Sequence, residues 1–155
     1  MSNFSLFLDD FRMPLDSFNY TNNKIYNIVN WKVVRSYDEF VDMITNNGLP
    51  DKISFDHDLS YEDINKESGF TEKTGYDCAK WLINYCMDNN LDVPVEIYIH
   101  SMNVVGALNI KSLFTTYYKV YPTDNDFYIN DVYIKNGFYS YNYSQGANLW
   151  NDDMY

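Results

Sequence analysis

Ile53-Ser54-Phe55-Asp56-His57-Asp58-Leu59 decides how this chain is read. A short apolar run closed by polar residues reads as a buried strand, and this one ends in three titratable side chains. Two other runs end the same way, Leu6-Phe7-Leu8 before Asp9-Asp10 and Ile97-Tyr98-Ile99 before His100-Ser101. Both histidines of the chain and four aspartates therefore fall at three strand ends, and that coincidence calls for a chemical reason.

Working outward from this stretch, helical signals separate the strands. Trp31 to Arg35 is a further strand, after a polar, Asn-rich connection over residues 11–30 with room for a short helix. Ser36 and Glu39 form a capping box, Phe40, Met43 and Ile44 supply an apolar face, and Asn47-Gly48 ends the helix. Residues 60–73 lack periodicity and read as a loop over the strand end. Thr74, with Asp77 three residues on, caps a second helix lined by Cys78, Leu82, Tyr85 and Cys86. Pro94 precedes the strand Val95–Ile99, His100 to Asn103 forms a turn, and a helix runs from about Val104 to Phe114. Strand and helix alternate four times, which implies an α/β fold with a mainly parallel sheet of four to five strands and helices on both faces.

Residues 115–122 are the candidate fifth strand. Beyond them the composition changes: of 16 tyrosines, six lie between Tyr128 and Tyr155. Lys135-Asn136-Gly137-Phe138 carries a type I′ hairpin signal. The expected organisation is an α/β domain over 1–122 and a Tyr-rich hairpin and coil appendage over 123–155, packed on it.

At 155 residues with 46% hydrophobic content, the chain can bury one core. Eleven basic against 22 acidic residues give a net charge of −11, which disfavours general nucleic-acid binding. A small anionic ligand stays compatible where a metal ion or a few placed cations offset the field. Cys78 and Cys86 fall on one helix about 12 Å apart, too far for a disulfide, so core thiols in a reducing cytoplasm are expected. Neither a signal peptide nor a membrane span is legible, and the expected location is cytoplasmic. The oligomeric state is not legible.

In open parallel sheets, ligands bind outside the carboxyl ends of the strands, where all three polar clusters fall. Side-chain alternation puts Asp56 and Asp58 on one side of their strand and His57 on the other. Asp9 and Asp10 point to opposite faces unless the strand has already turned, so Asp56 and at least one of that pair converge. Crowded carboxylates raise one another's proton affinity unless a cation is present, and hard oxygen donors select Mg²⁺, Mn²⁺ or Ca²⁺. Such an ion polarises a phosphoryl oxygen and activates water. His100 or His57 is then the acid or base within reach. Arg12, one of two arginines, is suited to grip a phosphate, and the helix following Asn103 offers free N–H groups to the same anion. Plainer readings stand beside these. Asp-Asp after a strand is often a turn and cap, a strand-end histidine is often structural, and Thr74, Ser101 and Asn103 are most simply helix caps.

With those residues in place, the chain resembles the cyclic-phosphate processing receiver domain family, found often in bacteriophage and bacterial proteins. The resemblance runs from about Leu6 to Phe114. It rests on Leu8-Asp9-Asp10-Phe11-Arg12-Met13-Pro14, Val34-Arg35-Ser36-Tyr37, Ser54-Phe55-Asp56-His57-Asp58-Leu59, Thr74-Gly75-Tyr76-Asp77, and His100-Ser101-Met102-Asn103 with Gly106 and Asn109-Ile110. It implies a receiver-like, flavodoxin-like three-layer sandwich. It implies a divalent metal, Mg²⁺ or Mn²⁺, on Asp9, Asp10 and Asp56. Asp56, His57, Asp58 and His100 become catalytic candidates, and Arg12, Thr74, Ser101, Asn103 and Asn109 substrate-binding ones. Two departures stand out: Val104 replaces the proline usual after Asn103, and no Lys-Pro pair ends the candidate fifth strand, so ordinary receiver phosphotransfer is not implied.

Three functions follow as expectations. The first is a metal-dependent phosphoesterase opening a cyclic phosphate on a nucleotide-like substrate, such as ADP-ribose cyclic phosphate, a 2′,3′-cyclic nucleotide or a cyclic nucleotide immune signal, in phage counter-defence. The second is a protein that sequesters such a signal uncleaved. The third is a receiver-like module that titrates host proteins through its acidic surface.

Overall fold

The computed structural model describes residues 3–59, 73–94, 96–121, 127–130, 132–135 and 138–141, the last two stretches by their backbone. Residues 60–72 of the loop expected over 60–73, the two turn residues 136–137 of the hairpin signal, and the coil from 142 onward lie outside the described residues, as does Val95.

Five short strands form a parallel array: β1 (Ser5–Leu8), β2 (Trp31–Val34), β3 (Lys52–Phe55), β4 (Glu96–Ile99) and β5 (Phe127–Ile129). Their order is β2-β1-β3-β4-β5, so the order reverses between β1 and β3. Two further strands, β6 (Val132–Lys135) and β7 (Phe138–Tyr141), continue the sheet antiparallel, with Lys135 opposite Phe138.

Alternation splits each strand between two cores. Leu6, Leu8, Ile53, Phe55, Ile97, Ile99, Phe127 and Ile129 pack on one face against α3 (Tyr37–Asn47), α4 (Gly75–Asp88) and α5 (Val104–Val120). Phe7, Trp31, Tyr98 and Tyr128 fill the other face under α1 (Pro14–Thr21) and α2 (Ile25–Ile28), which bring Phe18, Ile25 and Tyr26. The α/β class with a parallel sheet and helices on both faces is as the sequence implies. The connection over 11–30 holds two short helices, the first opened by Pro14 and by the Asp16 carboxylate on the Met13 N–H.

The expected caps form. Ser36 Oγ accepts from Glu39 N–H, while the Glu39 carboxylate reaches back one residue further than a capping box requires, to Arg35 N–H. Thr74 and Asp77 make the full reciprocal pair. Gly75 is fixed by close approach: a Cβ there would lie 1.7 Å from the Asp56 carbonyl oxygen. Its own N–H donates to the His57 carbonyl at 2.7 Å, so α4 begins directly on the end of β3.

One element differs from expectation. Residues 115–120 are not a strand but the continuation of α5. Ile110, Phe114 and Tyr118 recur every fourth residue and are all buried, and this helical stripe overrides the aromatic and β-branched composition of the segment. Tyr118 O–H donates to the Pro94 carbonyl at 2.8 Å. The fifth strand is Phe127–Ile129 instead, on the far side of position 122, and it is closed by Asn130. There a left-handed backbone (φ 52) turns the chain, and the side-chain oxygen accepts from Ile99 N–H at 2.7 Å.

Among the described residues no helix is long and apolar enough to cross a membrane.

Candidate functional site: a buried carboxylate and histidine cluster

Register builds the site. Leu8 pairs with Phe55 and Phe55 with Ile99, so Asp9, Asp56 and His100 are the next residues on three adjacent strands. Backbone bonds extend the ladder by that one step, Asp56 N–H to the Leu8 carbonyl at 2.9 Å and His100 N–H to the Phe55 carbonyl at 3.0 Å. The three side chains therefore leave the same face together. All are buried, and each offers a donor atom within 4.8 Å of the others.

Asp9 is a fixed anion. Its Oδ1 accepts from the N–H groups of Phe11 and Arg12 at 3.0 and 2.8 Å, and its Oδ2 accepts from His100 Nε2 at 3.0 Å. Burial pushes its carboxyl up, but the bond from His100 and the two backbone donors outweigh that and hold it below the ordinary value. His100 goes the other way. Burial pushes it down more than Asp9 draws it up, which favours the uncharged imidazole. Both its ring nitrogens are engaged, Nε2 with Asp9 and Nδ1 with Ser54 Oγ at 2.7 Å, and its side chain has no solvent exposure.

Asp56 carries the opposite strain. Burial first, then the charges of Asp9 and Asp10, push its carboxyl up to about 7 against the partial relief of bonds from His57 N–H and Ser101. Asp10 thus acts on the cluster through its charge, and its Oδ1 is shielded from solvent. A carboxylate held so far above its ordinary range by burial and by like charges is where a cation lowers the energy most. The donor set, oxygens backed by one imidazole, fits Mg²⁺ or Mn²⁺. Asp9 and Asp56 are the residues placed to hold such an ion, with Asp10 beside them.

Arg12 stands at the rim. Its guanidinium lies 4.0 Å from Asp9 Oδ2, over the rings of Phe11 and Tyr20, and against Met102 Sδ at 3.2 Å. A pair at that separation is loose enough for the guanidinium to turn to an incoming anion. Tyr20 ties α1 to β4 by donating to the His100 carbonyl, and the Ser17 hydroxyl lies 3.2 Å from its own.

A second cluster lies beside the first. Alternation does not survive past Asp56, the last residue bonded into the ladder one step beyond β3. Asp58 therefore does not join Asp56 but turns to His57, with Oδ1 2.9 Å from His57 Nδ1. Asn103 Nδ2 donates to both Asp58 oxygens at 3.3 Å, while its Oδ1 caps α5 through Gly106 N–H at 2.9 Å. His57 sits flat on α5: a Cβ on Gly106 would lie 2.3 Å from its ring. Its side chain is 17% exposed and that of Asp58 61%. Ser101 belongs to the first cluster and also accepts from Asn103 N–H. Thr74 serves as the cap of α4. Asn109 lies exposed, more than a turn along α5.

Several contributors were not singled out from the sequence. Arg35 donates to the carbonyls of Asp9 and Arg12 at 3.2 and 2.6 Å and so clamps the loop after β1. Ser54 was legible in principle, since it stands two residues before Asp56 and alternation puts both on one face. Tyr26, whose hydroxyl lies 2.6 Å from Ser54 Oγ, comes from the Asn-rich connection and carries no local signal.

A doubly wound sheet of this order, with an acidic pocket at the carboxyl ends of β1, β3 and β4, defines a receiver-type domain. The chain belongs to the cyclic-phosphate processing Receiver domain family, whose model matches residues 4–116. It is also similar to a solved structure, a two-component response regulator from Legionella pneumophila. That match has 18% identity and a TM-score of 0.42, covering 72% of this chain and 81% of that one. No curated protein matches the chain.

Proposed function

We propose that the protein is a divalent-metal-dependent phosphoesterase that opens a cyclic phosphate on a small nucleotide-like substrate. The observation that carries this reading is the in-register convergence of Asp9, Asp56 and His100, with Asp10 alongside, on one buried pocket whose rim holds Arg12. A bound Mg²⁺ or Mn²⁺ would neutralise the carboxylates, polarise a phosphoryl oxygen and make water more acidic. The chain's own residues supply the rest. Asp9 and Asp56 would hold that ion and through it set where the phosphate lies, and Arg12 leaves its loose contact with Asp9 to hold a non-bridging oxygen.

Ring opening forms one P–O bond from water and breaks one ester P–O bond. The water proton needs an acceptor, and the departing oxygen needs a proton. His100 has no free ring nitrogen, which leaves His57, partly exposed and oriented through Nδ1 by Asp58, as the residue that exchanges protons with the substrate. The acidic charge of −11 favours a compact substrate with a single cyclic phosphate over a polyanionic strand.

The test is incubation with 2′,3′-cyclic mononucleotides, ADP-ribose cyclic phosphate and cyclic dinucleotides, with and without chelator, with products resolved by chromatography. Ring opening is expected, abolished by chelation and reduced on the order of 10²-fold or more by Asp56→Asn. Turnover that survives both overturns the mechanism. One observation favours a second reading, sequestration without cleavage: the buried histidine offers no free nitrogen to a ligand. Recovery of intact ligand from a denatured, saturated complex would select it.

A further inference from the structure

Behind the carboxylates runs a hydrogen-bonded chain that the proposed reaction does not use. The Tyr26 hydroxyl lies 2.6 Å from Ser54 Oγ, Ser54 Oγ lies 2.7 Å from His100 Nδ1, and His100 Nε2 lies 3.0 Å from Asp9 Oδ2. All four side chains are buried. The imidazole cannot turn, because it is stacked on Phe7 at 4.2 Å and 9°, with the Tyr26 ring edge-on at 5.9 Å.

The direction of the chain follows from its end. Asp9 already collects two backbone N–H groups and is an acceptor only. A lone pair on Nε2 would face its oxygen with repulsion, so Nε2 carries the proton. Among the described residues the buried Tyr26 hydroxyl meets no acceptor but Ser54 Oγ, so its proton goes there and Ser54 is left to donate onward, which makes Nδ1 an acceptor. Ser54 then gives its only O–H to Nδ1, and its oxygen accepts from Tyr26. Burial pushes the Tyr26 phenol well above its ordinary value, which keeps it a donor. Every proton in the chain therefore points toward Asp9.

We infer that Tyr26 and Ser54 are positioning residues that hold His100 as its Nε2–H tautomer and so fix Asp9 as an oriented anion facing the pocket. Outer partners of this kind orient a ligating carboxylate and tune what it binds. The tautomer stands on the hydrogen-bond chain and its donor inventory; the consequence for divalent binding rests on the proposed role of Asp9 and Asp56.

The experiment uses the full chain, with imidazole ¹⁵N resonances recorded without metal and Mn²⁺ affinity measured by titration. His57→Gln leaves a single histidine for assignment. The wild type is expected to show His100 protonated at Nε2 with a hydrogen-bonded, unprotonated Nδ1. In Ser54→Ala the Nδ1 resonance moves downfield as its donor is lost, and Mn²⁺ affinity falls about ten-fold. Tyr26→Phe, which keeps the ring and removes one donor, shifts both readouts in the same direction by less. A wild-type Nδ1–H tautomer overturns the inference, as does a Ser54→Ala protein with unchanged Nδ1 and Mn²⁺ affinity. Absence of ring opening with both readouts intact removes the proposed reaction and leaves this chain standing. If the wild type binds no Mn²⁺, the metal role fails and the tautomer alone decides.

Discussion

Asp56 and Asp9 sit on neighbouring strands at the same height, yet they bear opposite electrostatic loads. Asp56 is pushed up to about 7, by burial first and then by Asp9 and Asp10. Without a cation, the folded protein thus holds a proton on Asp56 that the unfolded chain, near its ordinary value of 3.8, has released. The folded state binds more protons between about pH 4 and 7, so this group's contribution to stability falls as pH rises through that window and is level above it. Asp9, held below its ordinary value, contributes stability above about pH 4 that is lost as pH falls further. Asp56→Asn is therefore expected to stabilise the metal-free protein above pH 7, on the order of a few kcal/mol, with no gain near pH 4. Thermal melts in chelator across that range measure it, and excess Mn²⁺ should raise Tm in the wild type more than in the variant. Equal Tm values for the two proteins at pH 8 in chelator would remove the electrostatic account of Asp56.

At the scale of elements, the site depends on two helices beginning where strands stop. The first residue of α4, Gly75, touches the Asp56 backbone, and the third residue of α5, Gly106, touches the His57 ring. Neither needs an unusual backbone angle; each is glycine because there is no room for a Cβ. Gly75→Ala meets a backbone oxygen at 1.7 Å, which cannot yield unless α4 lifts from β3. A loss of at least about 1–3 kcal/mol is expected, the cost of overpacking a rigid contact, together with weaker Mn²⁺ binding because Asp56 moves. Gly106→Ala meets a side chain, which can swing. It should therefore cost less stability than Gly75→Ala while displacing His57 from Asp58 and lowering ring opening. Urea melts and turnover of the two variants, side by side, check the ranking; the reverse order would show that the close approaches are not what matters.

For the whole molecule, the consequential element is β5. Phe127 and Ile129 complete the core over α5, and Tyr128 completes the aromatic face with Tyr98. The Phe127 ring stacks on Tyr118 at 3.6 Å. A chain ending at residue 122 would leave β4 as an open edge beside uncovered apolar surface. Such a truncation is expected to lose cooperative unfolding in circular dichroism and calorimetry. Retention of the full-length melting transition would mean that residues beyond 122 are an appendage to a self-sufficient domain.

Much of this is legible in the sequence alone. Short apolar runs with polar ends gave β1, β3 and β4, caps at Ser36 and Thr74 gave two helices, and the alternation of the two gave a parallel sheet. Local chemistry sufficed for those elements because period and capping are properties of neighbouring residues. Alternation extended past a strand's last residue misplaced Asp58, and the strand expected over 115–122 is helix over 115–120, where a buried stripe of every fourth residue outweighs composition. The pocket itself belongs to tertiary structure. Strand order and register bring Asp9, Asp56 and His100 together from positions more than 40 residues apart, and packing on the aromatic face brings Tyr26 to Ser54. Sequence determined which side chains the strand ends would carry. Only the fold decided which of them share a buried space, because contacts across the sheet depend on register that no single stretch of chain contains.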